Sequence, residues 1–234
     1  MDQLWANRAA SAEAAIAKRH LRRLWGGCPQ RSSAWSAGPR PAGTGGSAHG
    51  ITGGRPTCST AWSMHRCATH SPPPRLSEIK RQIRGHRLRN NGRWTNSYYD
   101  DMAWLALALE RAQRLAGADR SRALRTLCDQ FVTAWVPEDG GGIPWRKQDQ
   151  FFNAPANGPA GIFLARYDDR LRRAQQMADW IDETLIDPET HLVFDGIKAG
   201  SLVRAQYTYC QGVVLGLEVE LSARTTDDRH PERV

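Results

Sequence analysis

Acidic residues are missing from a long stretch of this chain, with none between Trp25 and Ser77. Large apolar residues run out over almost the same range: from Gly26 to Pro74, Ile51 is the only Leu, Ile, Val, Phe or Tyr. The segment instead holds nine of the 21 glycines and seven of the 13 prolines. Such a composition cannot offset the entropy cost of ordering itself, and a linker of about fifty residues is out of place inside a compact domain. Cysteine is sparse as well. Cys28, Cys58, Cys67, Cys128 and Cys210 make an odd set without a CxxC pair, which indicates neither a disulfide framework nor a zinc ribbon. Cys58, His65, Cys67 and His70 assemble into a metal site only on paper, because their spacing matches no standard ligand pattern. The N-terminus lacks the basic and apolar regions of a secretory signal, and no apolar run reaches membrane-spanning length. These absences lead to the expectation of a soluble, cytoplasmic protein with no membrane partner.

What is present is cationic and helical. The 32 Lys and Arg against 24 Asp and Glu give a net charge of +8, which by itself suggests an anionic partner such as nucleic acid. Seven basic residues between Arg75 and Arg93 face Glu78 alone. They could grip phosphates, but a solvated helix face is the commoner explanation. Residues 3–25 carry Leu4, Trp5, Ala12, Ala15, Ile16, Leu21, Leu24 and Trp25 at roughly helical spacing and are expected to form an N-terminal helix. Residues 26–74 are expected to be irregular, and residues 75–234 to form the main domain. The odd segment has a second explanation. Permitted codons for Gly53 to His65, read one base earlier, give Trp-Trp-Gln-Ala-His-Leu-Leu-Asp-Cys-Leu-Val-Asp, an amphipathic helix. The segment is therefore expected to be translated out of frame, with frame restored near Pro72 to Pro74.

Beyond it the pattern is regular. Leu76, Ile79, Ile83 and Leu88 give a helix with one apolar face, broken by Asn90, Asn91 and Gly92. Met102 to Ala116 reads as a largely apolar inner helix, Asp119 to Trp135 as a one-faced outer one. Ala156 to Tyr167 and Asp169 to Leu185 repeat that alternation, and Tyr209 to Leu221 is again mostly apolar. Apolar and one-faced helices in turn are what an inner ring wrapped by an outer ring requires.

The chain's chemistry centres on Asn90 to Leu109, where Arg93 to Tyr99 lead into Asp100 and Asp101 ahead of an apolar helix. Two neighbouring acids at a helix start are most often caps that offset the dipole. The context points further, since flat apolar faces with hydrogen-bonding tips suit sugar rings. Consecutive Cα atoms lie about 3.8 Å apart, so two such carboxyls leaning into one cleft stand roughly 5 Å from each other, the separation of retaining glycosidases. Further polar segments recur at the same phase of the helical repeat. They are Glu138 to Arg146 with three glycines, which free the backbone to turn and approach a ligand, Phe151 to Pro159, Phe194 to Gly196, and Gln206 to Gly212. Singly each is a turn; together they converge on one end of a ring.

At these residues the chain resembles glycoside hydrolase family 76, the endo-α-1,6-mannanases with related cell-wall mannosidases and transglycosidases. The marks are Tyr98-Tyr99-Asp100-Asp101-Met102-Ala103-Trp104, Gly140 to Gly142 with Trp145, Asn153 with Asn157-Gly158, Asp195-Gly196, and Tyr209-Cys210-Gln211-Gly212. The resemblance spans roughly residues 90–224. It implies an all-α, incomplete (α/α)6 barrel with alternating inner and outer helices. It implies Asp100 as nucleophile and Asp101 as acid/base, with Trp94, Tyr99 and Trp145 stacking on sugars. Asn96, Asn153, Asn157, Asp195, Tyr209 and Gln211 would contact the mannoside substrate. No metal or organic cofactor is called for. Cys210 stands where the family usually has Asn. A full ring has twelve helices, so a chain stopping at Val234 is expected to be truncated and poorly folded or inactive as it stands. The alternatives are a transglycosylase of the same fold, or a non-catalytic binder of nucleic acid through Arg75 to Arg93.

Overall fold

The computed structural model describes residues 2–23, 32–34, 73–137, 140–167 and 170–234. The suspected out-of-frame segment lies outside the described residues except for 32–34 and 73–74, as do Cys58, His65, Cys67 and His70. The chain divides into two compact units, one of Met1–Trp94 with Leu107–Leu124, the other of Thr95–Ala106 with Arg125–Val234.

In the first unit, helix α1 spans Asp2–His20 and leaves Leu4 and Trp5 exposed. The helix was expected to run to residue 25. Instead Leu21–Arg23 form strand β1, paired antiparallel with β2 at Ser32–Ala34. Helix α2, Pro73–Arg89, opens on a proline, whose missing N–H costs nothing in a first turn. It buries Ile79 and Ile83 at the expected spacing. His86, Arg87 and Arg89 sit in its last turn, where cations complement the helix dipole. Asn91 (φ 51°) and Gly92 (φ 75°) then turn the backbone out of the helix. Helix α3, Tyr99–Ala116, contributes its second half to this unit and buries Leu109, Ala112 and Ala116 there. Gly117 ends it with a positive φ of 63°. The Asp119 carboxylate accepts from the Ser121 N–H at 3.0 Å, at the start of helix α4, Ser121–Thr133.

The second unit holds the first turns of α3, most of α4, and everything after it. Helix α5, Ala154–Arg166, is buried from Ala154 through Ala165 apart from Pro155. Helix α6, Leu171–Leu185, buries one stripe through Ala174, Met177, Ala178, Ile181 and Leu185. Helix α7, Thr208–Ser222, meets α5 through glycine. A Cβ at Gly158 would stand 2.7 Å from Val213, and one at Gly161 2.9 Å from Leu217. Phe131 of α4 packs edge-on against Phe163 of α5, ring centres 5.8 Å apart. The alternation read from the sequence is present, with α4 and α6 one-faced and α5 enclosed. Helix α7 is mostly apolar yet keeps Leu215 and Val219 exposed. The short helix α8, Arg229–Glu232, is pinned by His230, whose buried Nδ1 lies 2.6 Å from Glu218 Oε2. Arg233 adds ion pairs to Asp179 at 3.1 Å and Asp182 at 2.8 Å.

Between the helices runs a feature the periodicity did not announce. Strands β3 (Phe151–Asn153), β4 (Gly196–Lys198) and β5 (Ser201–Val203) form an antiparallel sheet in that order. Phe152 pairs with Ile197, and Asn153 with Gly196. Gly196 lies so close to the Phe152 carbonyl that no Cβ fits there.

Candidate active site

The start of α3 is built into an extended ladder. The Tyr99 N–H donates to the Trp145 carbonyl at 2.8 Å, and the Lys147 N–H to Ser97 at 2.8 Å. Trp145 N–H in turn donates to the Phe151 carbonyl at 2.6 Å, which ties the loop to β3. Upstream, Gly140, Gly141 and Gly142 all have positive φ. They were expected to let the backbone approach a ligand. The neighbours they approach are indoles: a Cβ at Gly141 would meet Trp135 at 2.7 Å, and one at Gly142 would meet Trp180 at 2.9 Å. The triple glycine therefore seats the loop that delivers Trp145.

Asp100 and Asp101 occupy the first turn of α3, both half-buried. Each has one oxygen held by a side chain from elsewhere. Trp145 Nε1 donates to Asp100 Oδ2 at 3.1 Å, and Asn96 Nδ2 donates to Asp101 Oδ2 at 3.1 Å. The Asp101 N–H donates to Asp100 Oδ1 at 2.8 Å. Asn96 is itself fixed, its Oδ1 accepting from the Tyr98 N–H at 2.9 Å. Burial first, and the neighbouring Asp101 charge second, push the Asp100 carboxyl up to about 6, against the hydrogen bonds that favour its charged form. Tyr98 packs edge-on against Trp145 (centroids 5.2 Å) and Phe151 does the same (6.3 Å). This wall orients the indole. Arg146 lies 5.6 Å over the same ring and is held by Asp149 at 2.6 Å.

A third carboxylate stands nearby. Asp195 is fixed by its backbone, its N–H donating to Ala205 and its carbonyl accepting from Ala154. Its Oδ1 accepts from the buried Cys210 thiol at 3.7 Å. Burial raises the Asp195 carboxyl, while burial and the Asp195 charge push the Cys210 thiol up to about 12. The Tyr209 hydroxyl is pushed up to about 12 by burial, then by Asp195, with a smaller contribution from Asp100. Asp195 and Cys210 join the aspartate pair through backbone: Asn153 of β3 pairs with Gly196 next to Asp195, and the Phe151 carbonyl of β3 holds Trp145.

Other residues expected at a ligand do different work. Tyr99 is 9% exposed, on the buried stripe with Met102, Ala103 and Ala106. Asn157 is fully buried; its amide donates to the Ile143 and Asn153 carbonyls, both at 2.9 Å, and accepts from the Ile143 N–H at 2.8 Å. Asn153 caps α5 by accepting from the Ala156 N–H. Gln211 pairs with both backbone groups of Val193, at 2.8 and 2.9 Å, and donates to the Tyr207 carbonyl at 3.1 Å. These three amides build the loops. Trp94 belongs to the first unit, with the Arg87 guanidinium 5.3 Å over its ring. The sequence reading missed Tyr98 and Phe151, whose signal was their adjacency to Asp100 and to Asn153. It also missed Tyr207, half-exposed and stacked on Tyr209.

A helical fold with paired carboxylates braced by an indole and an amide defines a class, the all-helical glycoside hydrolases. The chain belongs to glycosyl hydrolase family 76, whose profile matches residues 81–234. The α-1,6-mannanase of Salegentibacter sp. HEL1_6 superposes with a TM-score of 0.83 at 22% identity, covering 98% of this chain and 68% of that one. An inactive variant of an α-1,6-mannanase from that organism, with two consecutive aspartates changed to asparagine and α-1,6-mannotriose bound, gives 0.82 at 21% identity over the same shares. A family 76 mannosidase from Bacteroides thetaiotaomicron gives 0.77 at 17% identity, covering 97% and 68%. The fold is therefore that of the family's (α/α)6 barrels. No curated protein sequence matches the chain.

Proposed function

We propose that the chain is a retaining glycoside hydrolase acting on α-1,6-mannosidic linkages of a mannan-type oligosaccharide or glycolipid. The observation that carries this reading is the Asp100–Asp101 pair, each member with one oxygen fixed by a donor from outside α3. The family's solved α-1,6-mannanases, and the inactivity of the double-asparagine variant, support it.

In this reading an Asp100 oxygen attacks the anomeric carbon while the glycosidic C–O bond breaks and Asp101 gives its proton to the leaving oxygen. A glycosyl ester on Asp100 results. Water then attacks the anomeric carbon, Asp101 takes its proton, and the ester bond breaks to release the sugar and restore the Asp100 carboxylate. Trp145 and the Asp101 N–H orient the attacking group. Above pH about 6 Asp100 is ionised and available as nucleophile. A sugar hydroxyl replacing water in the second step turns hydrolysis into transglycosylation, which product analysis with an added acceptor separates.

The test is NMR of α-1,6-mannotriose incubated with the chain. Mannose-terminated product should appear first as the α-anomer, and Asp100→Asn and Asp101→Asn should each lower turnover by roughly a thousandfold or more. A β-anomer appearing first, or turnover that survives either change, overturns the mechanism.

A further inference from the structure

We propose that Tyr207, stacked on Tyr209, forms an aromatic shelf that holds a second sugar unit of the substrate chain. The inference rests on the glycosidase reading above and extends it to a residue which that reading does not use.

The two rings lie nearly parallel, 10° apart in plane with centroids 5.0 Å apart. Tyr207 is 46% exposed and Tyr209 50%. Each ring covers one face of the other, so what remains in water is an outer face with its edges. A flat apolar face of that kind matches the C–H face of a sugar ring. Tyrosine also gives up little conformational freedom on binding, having only two side-chain torsions.

The shelf is held in place before any ligand arrives. Tyr207 is the extended residue capping α7, with φ −92° and ψ 147°. Its carbonyl accepts from the Cys210 N–H at 3.1 Å and from Gln211 Nε2 at 3.1 Å. Gln206 is tied to Asp187 at 3.2 Å, which anchors the segment leading in. The shelf also adjoins the carboxylates. Next to Tyr209, Cys210 donates to Asp195, whose carbonyl accepts from Ala154 at the end of β3, the strand whose Phe151 carbonyl holds the Trp145 that braces Asp100. A sugar chain with one unit at Asp100 therefore has an aromatic surface on a segment tied to the same β3–β4 pairing. A merely structural stack, capping α7 through ring contact, would contribute to folding and not to ligand length.

The test uses the 234-residue chain carrying Asp100→Asn and Asp101→Asn, so that ligand is not consumed. Calorimetric titration compares methyl α-mannoside, α-1,6-mannotriose and α-1,6-mannotetraose. Affinity should rise with length in this background. Adding Tyr207→Ala should weaken the longest ligand roughly three- to tenfold and flatten the length dependence, the size expected for one aromatic contact. Tyr207→Phe should stay within about twofold of the background, because the ring and not the hydroxyl makes the contact. Tyr207→Trp keeps a flat face, so it should retain length dependence even where the alanine form fails to fold. Equal length dependence in Tyr207→Ala, or a Tyr207→Phe form as weak as the alanine form, overturns the shelf alone. A background protein that binds no mannooligosaccharide of any length overturns the glycosidase reading, and the shelf with it.

Discussion

Asp100 is held against its own preference, and that has a measurable sign. Its carboxyl is raised to about 6 from an ordinary value of 3.8, so the folded state binds this proton more tightly than the unfolded state does. Below pH ~4 the group is neutral in both states and costs nothing. Between about pH 4 and 6 the unfolded chain ionises first, and stability falls as pH rises; above 6 the loss is complete. Asp100→Asn removes that loss. After a discount for partial exposure, and for the poorer acceptor an amide offers Trp145, the variant should gain about 1 kcal/mol, or roughly 2–4 °C in Tm, at pH 7.5. The gain should vanish by pH 4, which thermal melts at the two pH values check. Trp145→Phe acts on the same group in the opposite sense, since the indole N–H favours the charged carboxylate. The acid limb of a pH–activity profile should move upward in that variant. Of these residues the sequence disclosed the aspartates by their adjacency. It misjudged Tyr99 because composition was weighed before phase: Tyr99, Met102, Ala103 and Ala106 share the i, i+3, i+4, i+7 stripe of a buried face.

Helices were legible because they are long and periodic. The predicted start of α4 was early by two residues because Asp119 caps the helix from outside it, while the predicted start of α6 at Asp169 lies outside the described residues. The sheet was not legible because each of β3, β4 and β5 is three residues long, too short for an alternating pattern to emerge. Its one local mark is Gly196, read as a turn although it is the position where two strands press together. The same blind spot covers Asn157 and Gln211, whose amides replace missing backbone partners in irregular segments. Polar residues in a loop read equally well as ligand groups or as loop braces, and only the fold decides. Two predictions belong to this scale. Gly142→Ala must adopt a φ of +89° with its Cβ at 2.9 Å from Trp180, and should cost about 1–3 kcal/mol by urea denaturation. Asn157→Ala leaves the buried Ile143 N–H and carbonyl unpaired, and should cost about 2–3 kcal/mol by the same measurement.

For the whole molecule, net charge and site chemistry make different predictions about salt. The +8 balance first pointed to an anionic partner. The exposed cations of α2 and the turn after it, Lys80, Arg84, Arg87, Arg89 and Arg93, lie in the first unit. The paired aspartates, Asp195 and the two stacked tyrosines all lie in the second unit. Exposed charges act over a Debye length, which is about 10 Å at 0.1 M salt and 3 Å at 1 M. Sugar contacts made by aromatic faces and half-buried hydrogen bonds are far less screened. The chain should therefore bind a heparin resin at low salt and elute well below 1 M sodium chloride. Its affinity for α-1,6-mannotetraose should stay within about twofold across that range. The asparagine changes at Asp100 and Asp101 should leave the elution position nearly unmoved, since each alters a half-buried carboxylate and removes no cation. Retention that resists salt and is competed by the mannooligosaccharide would instead mean that polyanion and sugar share contacts.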